Sequence, residues 1–218
     1  MPDKTGISKR VIERLSEYRS TLDEFDINQT RSEPRSIYSH ELAKMCGVTA
    51  AQVRRDLMTI GFSGSSSKGY DVSELQQTVG DFLGFNEERR MVLVGIGHLG
   101  RALLDFFANR NPKLILCAAF DVNEMRINRV IHGVRCYSVS ELTKVVMDER
   151  ASMGIITVPD TEAQKVASAL VDGGVSGLLN FAPVQLRVPN HVFVENLNIS
   201  TILEKVAYFA GQSAEKER

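Results

Sequence analysis

Gly95, Gly97 and Gly100 stand in Gly-x-Gly-x-x-Gly spacing inside Met91-Val92-Leu93-Val94-Gly95-Ile96-Gly97-His98-Leu99-Gly100. The chemistry this spacing serves is the binding of a pyrophosphate at a turn between a strand and a helix. Gly95 permits the tight turn, Gly97 lets backbone N–H groups approach the phosphates, and Gly100 lets the helix pack closely on the strand. The helix N-terminus adds unpaired N–H groups and the positive end of its dipole. Ile96, His98 and Leu99 complete the turn and are counted with the glycines as cofactor-binding candidates. Asp121 follows Gly100 by 21 residues, at the end of a second apolar run from Leu114 to Phe120. A carboxylate at that offset accepts hydrogen bonds from the ribose hydroxyls of an adenosine and repels a 2′-phosphate. The competing role of Asp121 is a helix cap for Asn123 onward, and Arg126 or Arg129 leaves a phosphorylated cofactor open.

A second group of residues has the chemistry of nucleic-acid recognition. Thr49-Ala50-Ala51-Gln52 has the form of a capping box and opens a helix that runs to about Ile60. On that helix Val53, Leu57 and Ile60 share one narrow sector, while Ala51, Arg55 and Met58 lie opposite, flanked by Gln52, Arg54 and Thr59. Arginine pairs with guanine or phosphate and glutamine with adenine, so this face suits a major groove. Its competing reading is a solvated charged face. Lys68 sits in the Gly/Ser-rich tip of Phe62 to Val72, a hairpin wing that ends on Gly69 and Tyr70. Ser39, at the head of the preceding helix, is counted with these DNA-facing residues.

The elements that must position these groups follow from periodicity. Ile7 to Phe25 carries apolar residues at three- and four-residue steps, which makes an amphipathic helix. Asp26 to Arg35 is polar and reads as a loop. Ser39 N-caps a helix to Cys46 that Gly47 ends, and the turn through Val48 makes a helix-turn-helix. Ser73-Glu74-Leu75-Gln76 is another capping box, before a helix with Leu75, Val79, Phe82 and Leu83 on its apolar face. Residues 1–85 are therefore expected to form a winged-helix domain.

Strands and helices then alternate. Leu103 to Phe107 belongs to a crossover helix closed by Asn109 and Pro112, and Gly133 to Tyr137 is a short strand before a helix opened by Ser138-Val139-Ser140-Glu141. Met153 to Val158, Val175 to Phe181 and His191 to Val194 are further strands, with a helix from Pro159-Asp160 to Leu170 stopped by Gly173-Gly174. This predicts a seven-element α/β sheet of Rossmann type over 86–198. Thr157, Val158 and Pro159, together with Asn180, Phe181, Ala182 and Pro183, lie at strand C-terminal ends, the edge where open parallel sheets bind ligands. The last helix, from Asn198 to Ala210, carries too much apolar surface for an exposed terminal helix, so 199–211 is expected to pack against a second subunit.

Composition narrows the function classes. The chain has 218 residues, 43% hydrophobic, and a net charge of -1, enough for a sizeable core and without a global basic bias. Cys46, Cys117 and Cys136 form no C-x-x-C pair, which argues for reduced thiols. His40, His98, His132 and His191 lack metal-ligand spacing, so no metal site is expected, and no catalytic set is identifiable. No apolar run reaches about 18 residues and the first residues lack a signal-peptide core, so a cytoplasmic protein is expected. The nucleotide domain leaves no region for a dehydrogenase substrate, which favours ligand sensing over hydride transfer.

The whole chain resembles the Rex family of bacterial redox-sensing transcriptional repressors. The resemblance is carried by Gln52-Val53-Arg54-Arg55-Asp56-Leu57 with Gly61, the wing ending Gly69-Tyr70, the glycine turn, Phe120-Asp121-Val122, Thr157-Val158-Pro159, Asn180-Phe181-Ala182-Pro183-Val184 and Val194-Glu195-Asn196. It implies a homodimer that binds palindromic operator DNA when NADH is scarce and leaves it when NADH binds, with NAD+ competing. It also implies a terminal helix swapped between subunits near the nicotinamide. Some members have an Asp and an aromatic where this chain has Asn198-Ile199, and the loop Asp26 to Arg35 is longer than usual. The alternatives are an NAD-dependent oxidoreductase with a helical appendage and a repressor that senses another nucleotide, such as a phosphorylated dinucleotide or coenzyme A.

Overall fold

The computed structural model describes residues 6–27, 36–65, 68–85, 87–108 and 113–216. The chain divides into two compact units, Met1–Glu87 and Glu88–Arg218.

In the first unit α1 (Lys9–Ile27), α2 (Ser39–Met45), α3 (Ala50–Thr59) and α4 (Val72–Leu83) enclose Leu15, Tyr18, Leu22, Leu42, Val53, Leu57, Leu75 and Val79. These are the apolar positions that the three- and four-residue steps single out, because one stripe of each helix must leave water. β1 (Ser36–Ile37) pairs antiparallel with β2 (Tyr70–Asp71), so the chain entering α2 is tied to the end of the wing. Gly47, at φ 65, takes the left-handed conformation that ends α2.

Two helix starts differ from the sequence reading, and at a third the capping box is incomplete. Tyr38, not Ser39, occupies the N-cap of α2, and its backbone N–H donates to the Glu41 carboxylate at 2.7 Å. Thr49 caps α3 by accepting from the Gln52 N–H at 3.2 Å, but the Gln52 amide turns away to Asp56, which leaves the box half made. α4 starts earlier than expected, because Asp71 accepts from the Glu74 N–H at 2.9 Å while Gln76 reaches Asp23. Asp71 and Ser73 are both good N-caps, and Asp71 holds the position with a charge-assisted bond to the Glu74 N–H. α1 runs to Ile27, and residues 28–35 of the expected loop, like the expected helix closure at Asn109 and Pro112, lie outside the described residues.

The second unit is a seven-stranded sheet in the order β5-β6-β4-β3-β7-β8-β9. Its strands are β3 (Arg89–Val94), β4 (Leu114–Asp121), β5 (Val130–Ile131), β6 (Val134–Ser138), β7 (Met153–Ile156), β8 (Gly177–Asn180) and β9 (Phe193–Asn196). All pairings are parallel except β5 with β6. Between the strands run α5 (His98–Ala108), a 3-10 turn (Val139–Glu141), α6 (Leu142–Asp148) and α7 (Asp160–Asp172), and α8 (Ile199–Lys216) follows β9. β3 is apolar throughout its second half because both faces are covered: Val92 and Val94 join one core, Met91 and Leu93 the other. The order reverses at β3, flanked by β4 and β7, which places the ligand crevice of a Rossmann-type sheet at the carboxyl end of β3.

The six strands named from the sequence are all present, with different ends, and β5 joins them as a seventh. β7 stops at Ile156 because the Thr157 hydroxyl lies within reach of both the Val94 and Gly95 carbonyls, at 3.0 and 2.7 Å, and the chain turns there. β9 is displaced to Phe193–Asn196, and β5 was not anticipated. β5 and β6 are joined by His132 and Gly133, at φ 48 and 81, the paired left-handed residues of a tight hairpin.

Candidate functional site

The glycine turn follows β3 at the reversal of strand order. Gly95 has φ 98, and a Cβ there would meet the Thr157 carbonyl oxygen at 2.8 Å; a Cβ on Gly100 would lie 2.0 Å from the Gly95 carbonyl oxygen. Both glycines are therefore required by the protein's own packing. A Cβ on Gly97 would meet nothing within 4 Å, so the space over Gly97 is open to a ligand.

Asp121 ends β4, is buried, and joins three donors. Its Oδ2 accepts from the Ile96 N–H at 2.7 Å and from Arg126 Nη1 at 2.9 Å, and its Oδ1 accepts from the Asn123 N–H at 2.8 Å. The carboxylate thus caps the turn at Asn123 and also fixes the glycine turn. Burial is the largest single influence and pushes its pKa up, but the Asn123 N–H, Arg126 and the Ile96 N–H outweigh it and hold the group below the usual carboxylate value.

A cavity of about 240 Å³ is lined by Gly95, Gly97, Asp121, Val122, Arg126, Val139, Thr157, Val158, Pro159, Glu162 and Val166. Of the expected residues, Ile96 and Gly100 are buried beneath the turn, and His98 and Leu99 are exposed on α5 outside this lining. Asn180, Phe181, Ala182 and Pro183 also lie outside it. Asn180 is fully buried; its amide N–H groups face the Ala182, Val184 and Asn196 oxygens and its Oδ1 accepts from the Ala182 N–H at 3.0 Å, so it shapes the turn after β8. Sequence reasoning passed over Val139, Glu162 and Val166. Their signal was positional: Val139 follows β6 at its carboxyl end, and Glu162 and Val166 are one turn apart at the start of α7.

In the first unit, a cleft of about 350 Å³ lies between the start of α2, Arg54 of α3 and the wing, lined by Tyr38, Ser39, His40, Arg54, Gly64, Ser65, Gly69 and Tyr70. Arg54 Nη1 donates to Ser39 Oγ at 2.9 Å, and Arg54, Arg55 and Lys68 are exposed. The wing closes through Ser65 and Gly69, whose N–H groups donate to each other's carbonyls at 3.2 and 2.9 Å. Tyr70 belongs to the core rather than to the surface: it is 7% exposed and its ring lies 5.8 Å from that of Phe62.

Gln52 is not free to read a base with its bonded amide. It donates to Asp56 Oδ1 at 2.8 Å, within a network that the sequence reading missed. Asp56, 1% exposed, also accepts both prongs of Arg14, at 2.7 and 2.8 Å, and the Tyr18 hydroxyl at 2.8 Å. Burial again raises the Asp56 pKa, and Arg14, Tyr18 and Gln52 overcome it, so the group stays ionised below its usual range. The available signal was Arg14 and Tyr18 at four-residue spacing on α1, opposite an acid set between Val53 and Leu57.

The thiols are poor redox centres. Burial pushes all three upward, Cys136 to about 11, so they remain protonated and weakly nucleophilic at neutral pH. Among the described residues no cluster of metal-ligating side chains occurs, and no helix is long and apolar enough to cross a membrane.

Residues 86–184 match the family model described as "CoA binding domain", and residues 6–57 match "Putative DNA-binding protein N-terminus". A redox-sensing transcriptional repressor Rex from Syntrophobacter fumaroxidans is 39% identical over 203 residues, which cover 93% of this chain and 95% of that one. Its counterpart from Clostridium perfringens is 36% identical over 208 residues, 95% and 96% of the two chains. Among solved structures, RSP, a Rex-family repressor, aligns with a TM-score of 0.84 at 30% identity over 97% of each chain. RSP in complex with β-NAD+ and operator DNA aligns at 0.86 and 30% identity, covering 97% of this chain and 95% of that one. RSP is also solved in complex with β-NADH, at a TM-score of 0.84.

Proposed function

The chain belongs to the Rex family of redox-sensing transcriptional repressors, and from that premise we propose how its two units divide the work. It is a regulator, not an oxidoreductase. It binds operator DNA when NADH is scarce and leaves it when NADH occupies the second unit, with NAD+ as the weaker competitor. The operator is palindromic and is read by a homodimer, with both acting in the cytoplasm, where the DNA lies. The working segments are 1–85 for DNA, 86–198 for the dinucleotide and 199–211 for dimerisation.

The observation that carries this reading is the bond from the Ile96 N–H to Asp121, which fixes a glycine turn whose Gly97 faces open space, on a chain whose other unit presents Arg54 and Arg55. The chain's own residues fit a dinucleotide. Gly95 to Gly100 and the start of α5 hold the pyrophosphate, Asp121 takes the adenosine ribose, and Val122, Val139, Val158 and Val166 give an apolar wall for the base. Thr157 and Pro159 complete that wall, and Asn180 to Pro183 set the sheet edge beyond it. In the first unit Arg55 reads the major groove, Ser39 and Arg54 engage phosphate, and Lys68 with Gly69 meets the backbone beside the wing. Gln52 and Tyr70 support this face from behind.

Dimerisation is assigned to α8 because its apolar residues are uncovered: Ile199, Ile202, Leu203, Val206 and Phe209 are each at least 43% exposed. Asn198 caps the helix, accepting from the Thr201 N–H at 3.2 Å, so the residue that departs from some relatives has a structural role here. Hydride on the nicotinamide ring changes its charge and planarity, and to drive release from nearly all bound to nearly all free it must favour one state by about 5.5 kcal/mol. Operator binding followed by fluorescence anisotropy, with NADH and NAD+ titrated in, tests the proposal.

A further inference from the structure

We propose that Met58 is a specificity-determining residue of the DNA unit: its thioether side chain packs against the 5-methyl group of a thymine close to the base that Arg55 contacts. The inference rests on the reading of α3 as the helix that enters the major groove.

The face that α3 turns outward carries Ala51, Arg54, Arg55, Met58 and Thr59, all exposed. Most of its polar groups are already engaged. Arg54 Nη1 donates to Ser39 Oγ at 2.9 Å, and the Thr59 hydroxyl donates to the Arg55 carbonyl oxygen one turn back, also at 2.9 Å. Gln52, at the edge of this face, gives its amide to Asp56. Along the centre of the face the helix presents Ala51, Arg55 and Met58, at four- and three-residue steps, so a cation stands between two apolar groups. Met58 is the larger of the two and is 70% exposed.

The chemistry of the thioether selects among the four bases. It is a weak acceptor and no donor, so an amino group set against it loses water and gains no partner. Adenine and cytosine carry such amino groups on their major-groove edges, and guanine presents acceptors that a thioether cannot serve. Thymine alone presents a methyl group there. Three rotatable bonds and a polarisable sulfur let methionine follow an irregular surface to reach it. Three residues advance an α-helix by about 4.5 Å and base pairs succeed one another at about 3.4 Å, which sets the thymine about one or two pairs from the Arg55 contact when α3 lies along the groove.

The test begins with in vitro selection from a randomised duplex library by the full chain and by its M58A and M58Q variants. Wild type is expected to enrich guanine with thymine at that spacing. M58Q should keep the guanine and exchange the thymine for adenine, whose N6 and N7 pair with a carboxamide. The wild-type selected duplex is then resynthesised with uracil in place of that thymine, which removes the methyl group and nothing else. Anisotropy titration should show wild type losing about fourfold in affinity on the uracil duplex, the factor for withdrawing one buried methyl-sized group, and M58A losing less than about twofold. The uracil comparison is made first on the wild-type protein, so it stands whether or not a variant folds. An enriched sequence without thymine at that spacing, equal affinity of wild type for the thymine and uracil duplexes, or an equal loss on uracil in wild type and M58A would overturn the proposal. Failure of wild type to enrich any sequence would instead overturn the reading of α3 as the helix that reads DNA.

Discussion

The Ile96 N–H and the Asp121 carboxylate meet at 2.7 Å, so the glycine turn after β3 and the end of β4 form one rigid piece across 25 residues of sequence. A group that shapes the turn as well as facing the ribose should affect both binding and stability. D121A is expected to weaken NADH by about 1.5–3 kcal/mol, the range for a charge-assisted hydrogen bond, and to lower the thermal midpoint of the second unit. Calorimetry that finds equal loss for NADH and NADPH would contradict the ribose role.

The glycines separate fold from ligand. G100A drives a Cβ to 2.0 Å from the Gly95 carbonyl and should cost about 3 kcal/mol of stability. G97A has no protein atom within 4 Å to strike, so its unfolding midpoint should stay near wild type while NADH binding falls at least about tenfold. G97A that binds NADH normally would remove the phosphate from that turn.

Acid should unfold the chain through Asp56 and Asp121. Both are held below the unfolded aspartate value of about 3.9. A depressed pKa adds stability that is complete above the unfolded value and is lost as pH falls through the folded one. Thermal midpoints should therefore hold from pH 7 to about 5 and drop below about 4, and D56N should flatten that drop for the first unit. D56A leaves the Arg14 fork and Tyr18 unpaired and is expected to cost about 3 kcal/mol.

How much of this could be read from residues alone differs by the range of the interaction. The glycine turn, the apolar run to Phe120 and the stripe of α1 were legible because they depend on local spacing. The Arg14–Asp56 fork spans 42 residues and the Ile96–Asp121 bond 25, and no periodicity encodes which acid a distant arginine will reach. The capping boxes divide in the same way: Ser138 and Glu141 form theirs in full, whereas Thr49-x-x-Gln52 forms only the Thr49 half because the Gln52 amide is held by the buried Asp56. Arg54 and Arg55 are exposed on α3 as their spacing predicts, and the backing of that helix by Arg14, Tyr18 and Gln52 was not legible.

On that face, R55A should reduce operator affinity by about 1–3 kcal/mol and leave NADH affinity unchanged. R54A removes the partner of Ser39 as well, and if it engages phosphate it should lower the salt slope by about one unit. Operator binding unchanged in both variants would refute the choice of reading face.

For α8, replacing Leu203 and Phe209 with Glu puts charge on the uncovered face. Sedimentation should show a dimer for wild type at micromolar concentration and a monomer for the double variant. A monomeric wild type would refute the assignment of α8.

The most direct measurement is fluorescence anisotropy of a labelled palindromic operator with the full chain, titrated with NADH and separately with NAD+. The account predicts a high anisotropy without nucleotide, release at low NADH concentration, and a rightward shift of the NADH curve when NAD+ is present. An operator complex that NADH leaves intact, or that NAD+ dissolves as readily as NADH, would contradict it.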